Sequence, residues 1–404
     1  MKVLALGGSG DMGRMAVAIL LESPNISSIT VADKNIERAK YFVELVSSAK
    51  LSPFEIDVTE HDKLVDLISS HDIVMNTVGP YYKFATRIMK ATIEAKKNYV
   101  DINDDAKPSL DVLEMTQKAK EAGITALIGI GASPGLTNLM AVIACSKLDE
   151  IDDLITAWGT SRYAKVGRKP DYYVPQRTFY EKYKSMALIA NAATMHLFYE
   201  TINEISTFKA GKMVEIKPLT EADPVQFLGF NDAYASHIGH PEPVTLPRVI
   251  KANSVCNLMF WSKPMTDLVR EYSHRISNNE LSISEASIEF FRASRNRSKD
   301  PATRQQNENL PPGLCVIVTG IKDGKRKKIA IGSECDPYGG MAGVTGVPLA
   351  IAVLMILNNE IKDKGVFTPE EAFSDPMEFF NQYAKYCGEN LKGEDVLLIR
   401  EVDL

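Results

Sequence analysis

The sequence predicts an α/β protein whose amino-terminal part is a doubly wound Rossmann domain. Three observations carry that reading. An apolar strand, Val3–Leu6, runs directly into the glycine turn Gly7-Gly8-Ser9-Gly10-Asp11-Met12-Gly13. A second apolar strand, Ile29–Asp33, ends on an acid about 20 residues beyond the last of these glycines. Near-continuous apolar strands then alternate with helical patterns as far as Ile130. Such strands are buried on both sides, as in a parallel sheet with helices on each face.

The glycine turn follows the pattern G-x-G-x-x-G at Gly8, Gly10 and Gly13. In that pattern the first glycine permits the tight turn, the second admits a pyrophosphate to the backbone, and the third packs helix on strand. The amphipathic helix Met12–Leu21 follows. Its unpaired N–H groups and positive end, with Ser9, Asp11 and Met12 at the turn, form a phosphate site. Asp33 is placed to take both hydroxyls of an adenosine ribose, which favours NAD over NADP because its charge would repel a 2′-phosphate. Lys34 and Arg38 lie close enough in sequence to soften that repulsion.

Four further strands are expected at Phe54–Val58, Ile73–Val78, Tyr99–Ile102 and Thr125–Ile130, with helices such as Ala85–Ala95 and Leu110–Ala122 between them. Gly123 closes one helix. Ser133 is a good N-cap, and Pro134 a good first helical residue, for a helix running towards Leu148. The domain change is placed here, giving 1–132 as the dinucleotide domain, 133–340 as a second α+β domain, and 341–404 as a closing helical section.

In the second domain Leu154–Trp158 reads as a strand and Phe179–Tyr199 as a long helix. Leu314–Ile321 and Lys328–Ile331 alternate as an antiparallel pair. Between these two runs Asp323-Gly324 is a hairpin signal, so Lys325-Arg326-Lys327-Lys328 is expected on a solvated hairpin edge. The polar segment Ser294–Asn309 reads as a long loop. Leu349–Leu357 is apolar on all sides and must be buried, most economically against the first domain. Thr368-Pro369-Glu370-Glu371 is a capping-box sequence that opens another helix.

The bulk numbers exclude several classes. With 404 residues, 45% hydrophobic and 24% charged, the chain has ordinary globular composition and room for two or three domains. A net charge of −6 provides no basic field for nucleic acid. Leu349–Leu357 is too short to cross a bilayer. Cys145, Cys256, Cys315, Cys335 and Cys387 are scattered and never spaced as C-x-x-C, which speaks against structural zinc or a disulfide framework. Free thiols and a chain opening directly on a strand are the expectation for a cytoplasmic protein.

In an open parallel sheet, ligands sit beyond the carboxyl ends of the strands. Asp57 and Val58 end the third strand, in reach of an adenine. Asn76, Val78, Gly79 and Pro80 follow the fourth, where the nicotinamide half belongs, with Tyr81 next. Asp101 and Asp104 follow the fifth, as catalytic carboxylates or as helix caps and turn charges. Tyr81 is a pocket residue or a packed aromatic.

Gly79-Pro80-Tyr81, the Val100-Asp101 strand end, Ser133-Pro134-Gly135, His240-Pro241-Glu242-Pro243-Val244-Thr245-Leu246-Pro247-Arg248, the Met341–Pro348 run and Val366–Phe373 together resemble the saccharopine dehydrogenase-like family. The resemblance covers nearly the whole chain. It implies nicotinamide enzymes that reduce an imine to a secondary amine or oxidise an amine. It also implies a split fold, with a substrate and dimerisation domain inserted into the dinucleotide domain and carboxy-terminal helices returning to the first domain. Relatives acting on saccharopine carry an acid where this chain has Ser133.

The implied chemistry is hydride transfer between a nicotinamide (NAD or NADP) and an imine or amine carbon of an amino-acid-like small molecule, in a homodimer. Asp101 could stabilise a cationic imine. Arg248 is the first candidate to grip a substrate carboxylate, ahead of Arg162, Arg168 and Arg177. His240, near His237 and Glu242, is a candidate for proton transfer or binding, with loop structure as its plain alternative. No metal site is expected. Tyr172, Tyr173, Phe179 and Tyr180 line a pocket or pack in a core. A dinucleotide-binding sensor without turnover and a reductase for a lipid or alkene remain as rival readings.

Overall fold

A computed structural model of the chain describes residues 1–161, 163–178, 192–297 and 309–404. It divides into two compact units. The first contains Met1–Leu136, the described residues from Val166 onward to 178, and Asp336–Val396.

The first unit is built on a parallel sheet. Its strands are β1 (Lys2–Leu6), β2 (Ser28–Asp33), β3 (Leu51–Glu55), β4 (Ile73–Asn76), β5 (Asn98–Asp101) and β6 (Thr125–Leu127). A seventh, Gly365–Phe367, returns from the carboxy-terminal part and pairs with β6. The spatial order is Gly365–Phe367, β6, β5, β4, β1, β2, β3. The chain moves outward from β1 to β3, then crosses back to β4. The order therefore reverses beside β1, the topological switch point where such sheets bind ligands. Leu6 pairs with Ala32 on one side and Asn76 on the other, which brings the carboxyl ends of β2, β1 and β4 level.

Helix Asp11–Glu22 and helix Met341–Leu357 pack together in this unit. The second is apolar all round, and Leu349, Ile351 and Val353 are fully or almost fully buried. Each such side chain contributes roughly 1.5–3 kcal/mol. Contact is close because a Cβ on Gly346 would stand 2.6 Å from the carbonyl oxygen of Met12. Thr368 and Glu371 form the expected capping box.

The second unit carries a mixed sheet. Its strands are β7 (Glu150–Gly159), β8 (Ile205–Lys209), β9 (Lys212–Ile216), β10 (Ala252–Phe260), β11 (Leu314–Lys322), β12 (Lys325–Ser333) and β13 (Leu397–Asp403). The order is β9, β8, β10, β7, β11, β12, β13. β10 runs parallel to β7, while the other neighbouring pairs are antiparallel. The alternation at β11 and β12 revealed their pairing but not the parallel partner on the far side of β7.

Several boundaries differ from those read in the sequence. The stretch expected as a returning helical section, 341–404, is divided: its last strand, β13, belongs to the second unit and hydrogen-bonds to β12. Lys325–Lys328 consequently lies on an interior strand rather than a hairpin edge, although the turn at Asp323 (φ 50°) and Gly324 (φ 73°) is as expected. Ser133 and Pro134 do not open a helix. Gly131 donates to the Pro134 carbonyl at 2.9 Å, Leu136 donates to the Gly131 carbonyl at 2.9 Å, and the helix starts at Leu136. Ser294 lies inside helix Ile283–Arg297, so the polar segment begins as helix. Of the helix expected over 179–199, residues 192 onward are helical, within Ala192–Ile202. Residues 179–191, with Phe179 and Tyr180, lie outside the described residues, as do Arg162 and 298–308.

Candidate functional site

In the first unit the glycine turn closes on itself. Gly7 has φ +69°, its N–H donates to the Ala32 carbonyl at 2.8 Å, and Gly10 donates back to the Gly7 carbonyl at 2.8 Å. The left-handed residue is Gly7, one position before the glycine to which the motif assigns the turn, and Gly8 is packed against Ala5. A Cβ on Gly13 would come 2.7 Å from the Gly7 carbonyl oxygen, so a side chain there would push the helix off the turn. A Cβ on Gly10 would meet only the Gly7 oxygen at 3.1 Å and Arg38 Nη2 at 4.0 Å. That side of the turn is open, and Asp11 and Met12 beside it are partly exposed. The N–H groups of a first helical turn have no acceptor within the helix. Ligand oxygens can take that place.

Ser9 is buried, and its hydroxyl donates to the Asp33 carboxylate at the end of β2. The other Asp33 oxygen accepts the Asn35 N–H at 3.0 Å. The turn and the acid are thus brought together in one hydrogen-bonded unit. Asp57 stands one strand further out. It holds Lys34 Nζ at 2.7 Å, the Thr59 N–H at 3.0 Å and the Thr59 hydroxyl at 2.8 Å. The Lys34 contact, then Thr59, keeps the Asp57 carboxyl well below the usual carboxylate range. Lys34 is thereby drawn to Asp57, beside a surface depression of about 830 Å³ that Phe54 and Lys63 also line. Val58 is buried in the core.

The loop after β4 is braced from within. Asn76 Oδ1 accepts the Val78 N–H at 2.9 Å, Asn76 Nδ2 donates to Tyr99 Oη at 2.8 Å, and the Tyr81 hydroxyl donates to the Asn76 carbonyl at 3.0 Å. Val78 and Gly79 are partly exposed at the tip, while Pro80 is buried. Tyr99 in turn donates to Asp101 Oδ2 at 2.7 Å. Asp101 Oδ1 accepts the N–H groups of Asn103 at 3.0 Å and Gly129 at 2.8 Å. Asp101 is wholly buried, and burial lifts its pKa to about 6 against those hydrogen bonds. Burial also pushes the Tyr81 phenol well above its ordinary value. Both residues hold loops at the ends of β4, β5 and β6. The sequence reading missed Tyr99, whose place in an apolar strand gave no polar signal. It also missed Arg14, which is wholly buried and is the lone charge within the apolar run Met12–Leu21.

In the second unit His240 and Glu242 are nearly or fully buried, with His240 Nδ1 3.1 Å from Glu242 Oε2. Glu242 Oε1 accepts the Thr137 hydroxyl at 2.8 Å and Asn257 Nδ2 at 3.3 Å. Asn257 also bonds Thr156 Oγ1 at 2.9 Å and accepts Trp158 Nε1 at 3.0 Å. The His240 ring lies 5.7 Å from that of Trp158 and 5.3 Å from that of His196. A carboxylate so fixed sets the orientation of the imidazole it holds. Arg248 is exposed, at the end of the short helical turn Leu246–Arg248.

The residues present fit a dinucleotide: the open side of Gly10, a first helical turn beside it, and an acid at the end of β2. The saccharopine dehydrogenase NADP binding domain matches residues 3–127, and the saccharopine dehydrogenase C-terminal domain matches 308–389. A carboxyaminopropylagmatine dehydrogenase from Synechocystis sp. is 21% identical, across 91% of this chain and 92% of its own. A carboxynorspermidine synthase from Vibrio cholerae is 23% identical, across 93% of each. An NADP-dependent, L-glutamate-forming saccharopine dehydrogenase from Pyricularia oryzae is 30% identical over 35% of this chain and 29% of its own. Among solved structures, the apo L-Glu-forming saccharopine dehydrogenase of Saccharomyces cerevisiae shares the fold, with a TM-score of 0.62, 17% identity and 99% coverage of both chains. No helix among the described residues is long and apolar enough to cross a membrane. The chain belongs to the saccharopine dehydrogenase-like family of nicotinamide-dinucleotide oxidoreductases.

Proposed function

We propose that this protein is an NAD(P)-dependent reductase or dehydrogenase that moves a hydride between the nicotinamide and an imine or amine carbon of an amino-acid-derived substrate. The observation that carries the reading is the glycine turn, open at Gly10 and joined through Ser9 to Asp33, in a chain similar over nine-tenths of its length to enzymes named for carboxyalkylated amines.

The turn residues Gly8 to Gly13 hold the diphosphate. Asp33 takes ribose hydroxyls, which favours NAD. Lys34, tied to Asp57, is directed away from softening that preference. Val78, Gly79 and Pro80 edge the nicotinamide half. Asp101 and Tyr81 act by positioning, since their polar atoms are spent on the loops they brace. His240, oriented by Glu242, holds the proton that the amine nitrogen gains or loses. Arg248, exposed and permanently charged, grips a substrate carboxylate. The working form is a homodimer.

The test is loss of nicotinamide absorbance when the protein is mixed with NADH or NADPH and pairs of a 2-oxo acid with an amine, diamines and lysine included. Turnover with one pair supports the reading. Cofactor binding without turnover across all pairs favours a dinucleotide sensor instead.

A further inference from the structure

The stretch after Val166, which joins the first unit although it lies between strands of the second, runs along the helix that follows the glycine turn. At the far end of that helix, Glu22 accepts the Asp171 N–H at 3.3 Å and faces Arg168 at 3.8 Å. At the near end, Arg14 Nε donates to the Val174 carbonyl at 3.1 Å. Tyr173, between them, is 6% exposed and meets the Tyr338 ring edge-on at 6.1 Å.

Two further donors of Arg14 face the turn. Nη1 holds the Ser9 carbonyl at 2.7 Å, and Nη2 bonds Asp11. The Ser9 oxygen is therefore turned toward the buried Arg14 guanidinium. A guanidinium can serve three partners at once because its donors are fixed in a plane.

We propose that Arg168–Val174 is a docked strap and that Arg14 is the positioning residue coupling its docking to diphosphate binding. The inference rests on the dinucleotide reading of the turn. A diphosphate seated on Gly10 and Asp11 orders the same peptide that Arg14 grips, and Arg14 carries that order to Val174. Coupling of this kind is reciprocal: docking the strap tightens the cofactor, and the cofactor holds the strap down.

The experiment pairs calorimetry of NADH and NADPH binding with limited trypsin digestion of the full chain. Arg168 is exposed, so trypsin cleavage of the Arg168–Lys169 bond reads the strap directly, and the Lys209–Lys212 turn serves as an internal control. Cofactor should slow cleavage after Arg168 but leave cleavage at Lys209 and Lys212 unchanged. Arg14→Met should weaken cofactor binding on the order of tenfold, raise KM more than it lowers kcat, and abolish the protection. Arg14→Lys should recover part of each. Glu22→Ala, which frees the far end of the strap without touching the turn, should reduce the protection, and it decides the matter with the unaltered protein if Arg14→Met does not fold. An unprotected Arg168–Lys169 bond in cofactor-saturated protein, or undiminished affinity in folded Arg14→Met, overturns the proposal. No calorimetric binding to the unaltered protein would instead bring down the dinucleotide reading, and this coupling with it.

Discussion

Tyr99 Oη donates to Asp101 Oδ2 at 2.7 Å, and neither side chain meets solvent. Through this one contact the loop after β4, held by Asn76, is joined to the loops after β5 and β6, held by Asp101. The ends of three adjacent strands are therefore one braced surface.

The brace has a pH signature. Burial raises Asp101 from 3.8 to about 6, so the folded protein binds this proton more tightly than the unfolded chain. Stability should fall as pH rises through the window from 3.8 to about 6 and level off above it. The full effect of this group is about 3 kcal/mol at most. Asp101→Asn, whose oxygen can still accept both N–H groups, should flatten that slope. Thermal melts of the two proteins at pH 4, 5 and 7 check it, and parallel slopes would contradict it.

Gly10→Val should abolish binding of NADH and NADPH and leave the fold in place. Its Cβ would stand 3.1 Å from the Gly7 oxygen, a tight contact relieved by a shift of a few tenths of an ångström, so the loss of binding comes from filling the open side. Calorimetry beside circular dichroism separates the two outcomes.

Asp33→Ala should weaken NAD more than NADP, shifting the ratio of their affinities on the order of tenfold. Lys34→Ala should shift it little, because Lys34 is held by Asp57 at 2.7 Å. An unchanged ratio in Asp33→Ala would remove the role given to this acid.

Glu242→Ala should destabilise the protein by roughly 2–4 kcal/mol, since the Thr137 hydroxyl and His240 lose this partner and Asn257 Nδ2 is left with Thr156. His240→Asn should cost less stability and lower kcat without weakening the cofactor. Urea titrations and initial rates distinguish them. A normal kcat in His240→Asn would leave His240 as a structural residue.

The sequence by itself determined the parts whose signals are local. The glycine turn, the acid ending β2, the alternation that builds the parallel sheet, the Asp323-Gly324 hairpin and the Thr368 capping box each depend on residues a few positions apart. The apolar circumference of Leu349–Leu357 likewise required burial. Tertiary structure decided what depends on distant partners. β13 could be assigned to the second sheet only once β12 offered it hydrogen bonds, and β7 found a parallel neighbour about a hundred residues away. Asp101 resembled a solvent-facing strand-end acid until Tyr99, Asn103 and Gly129 closed over it. Arg14 donates to a carbonyl 160 residues downstream. Turn geometry and hydrophobic period are written in short windows, whereas burial and hydrogen-bond partners are properties of the folded chain.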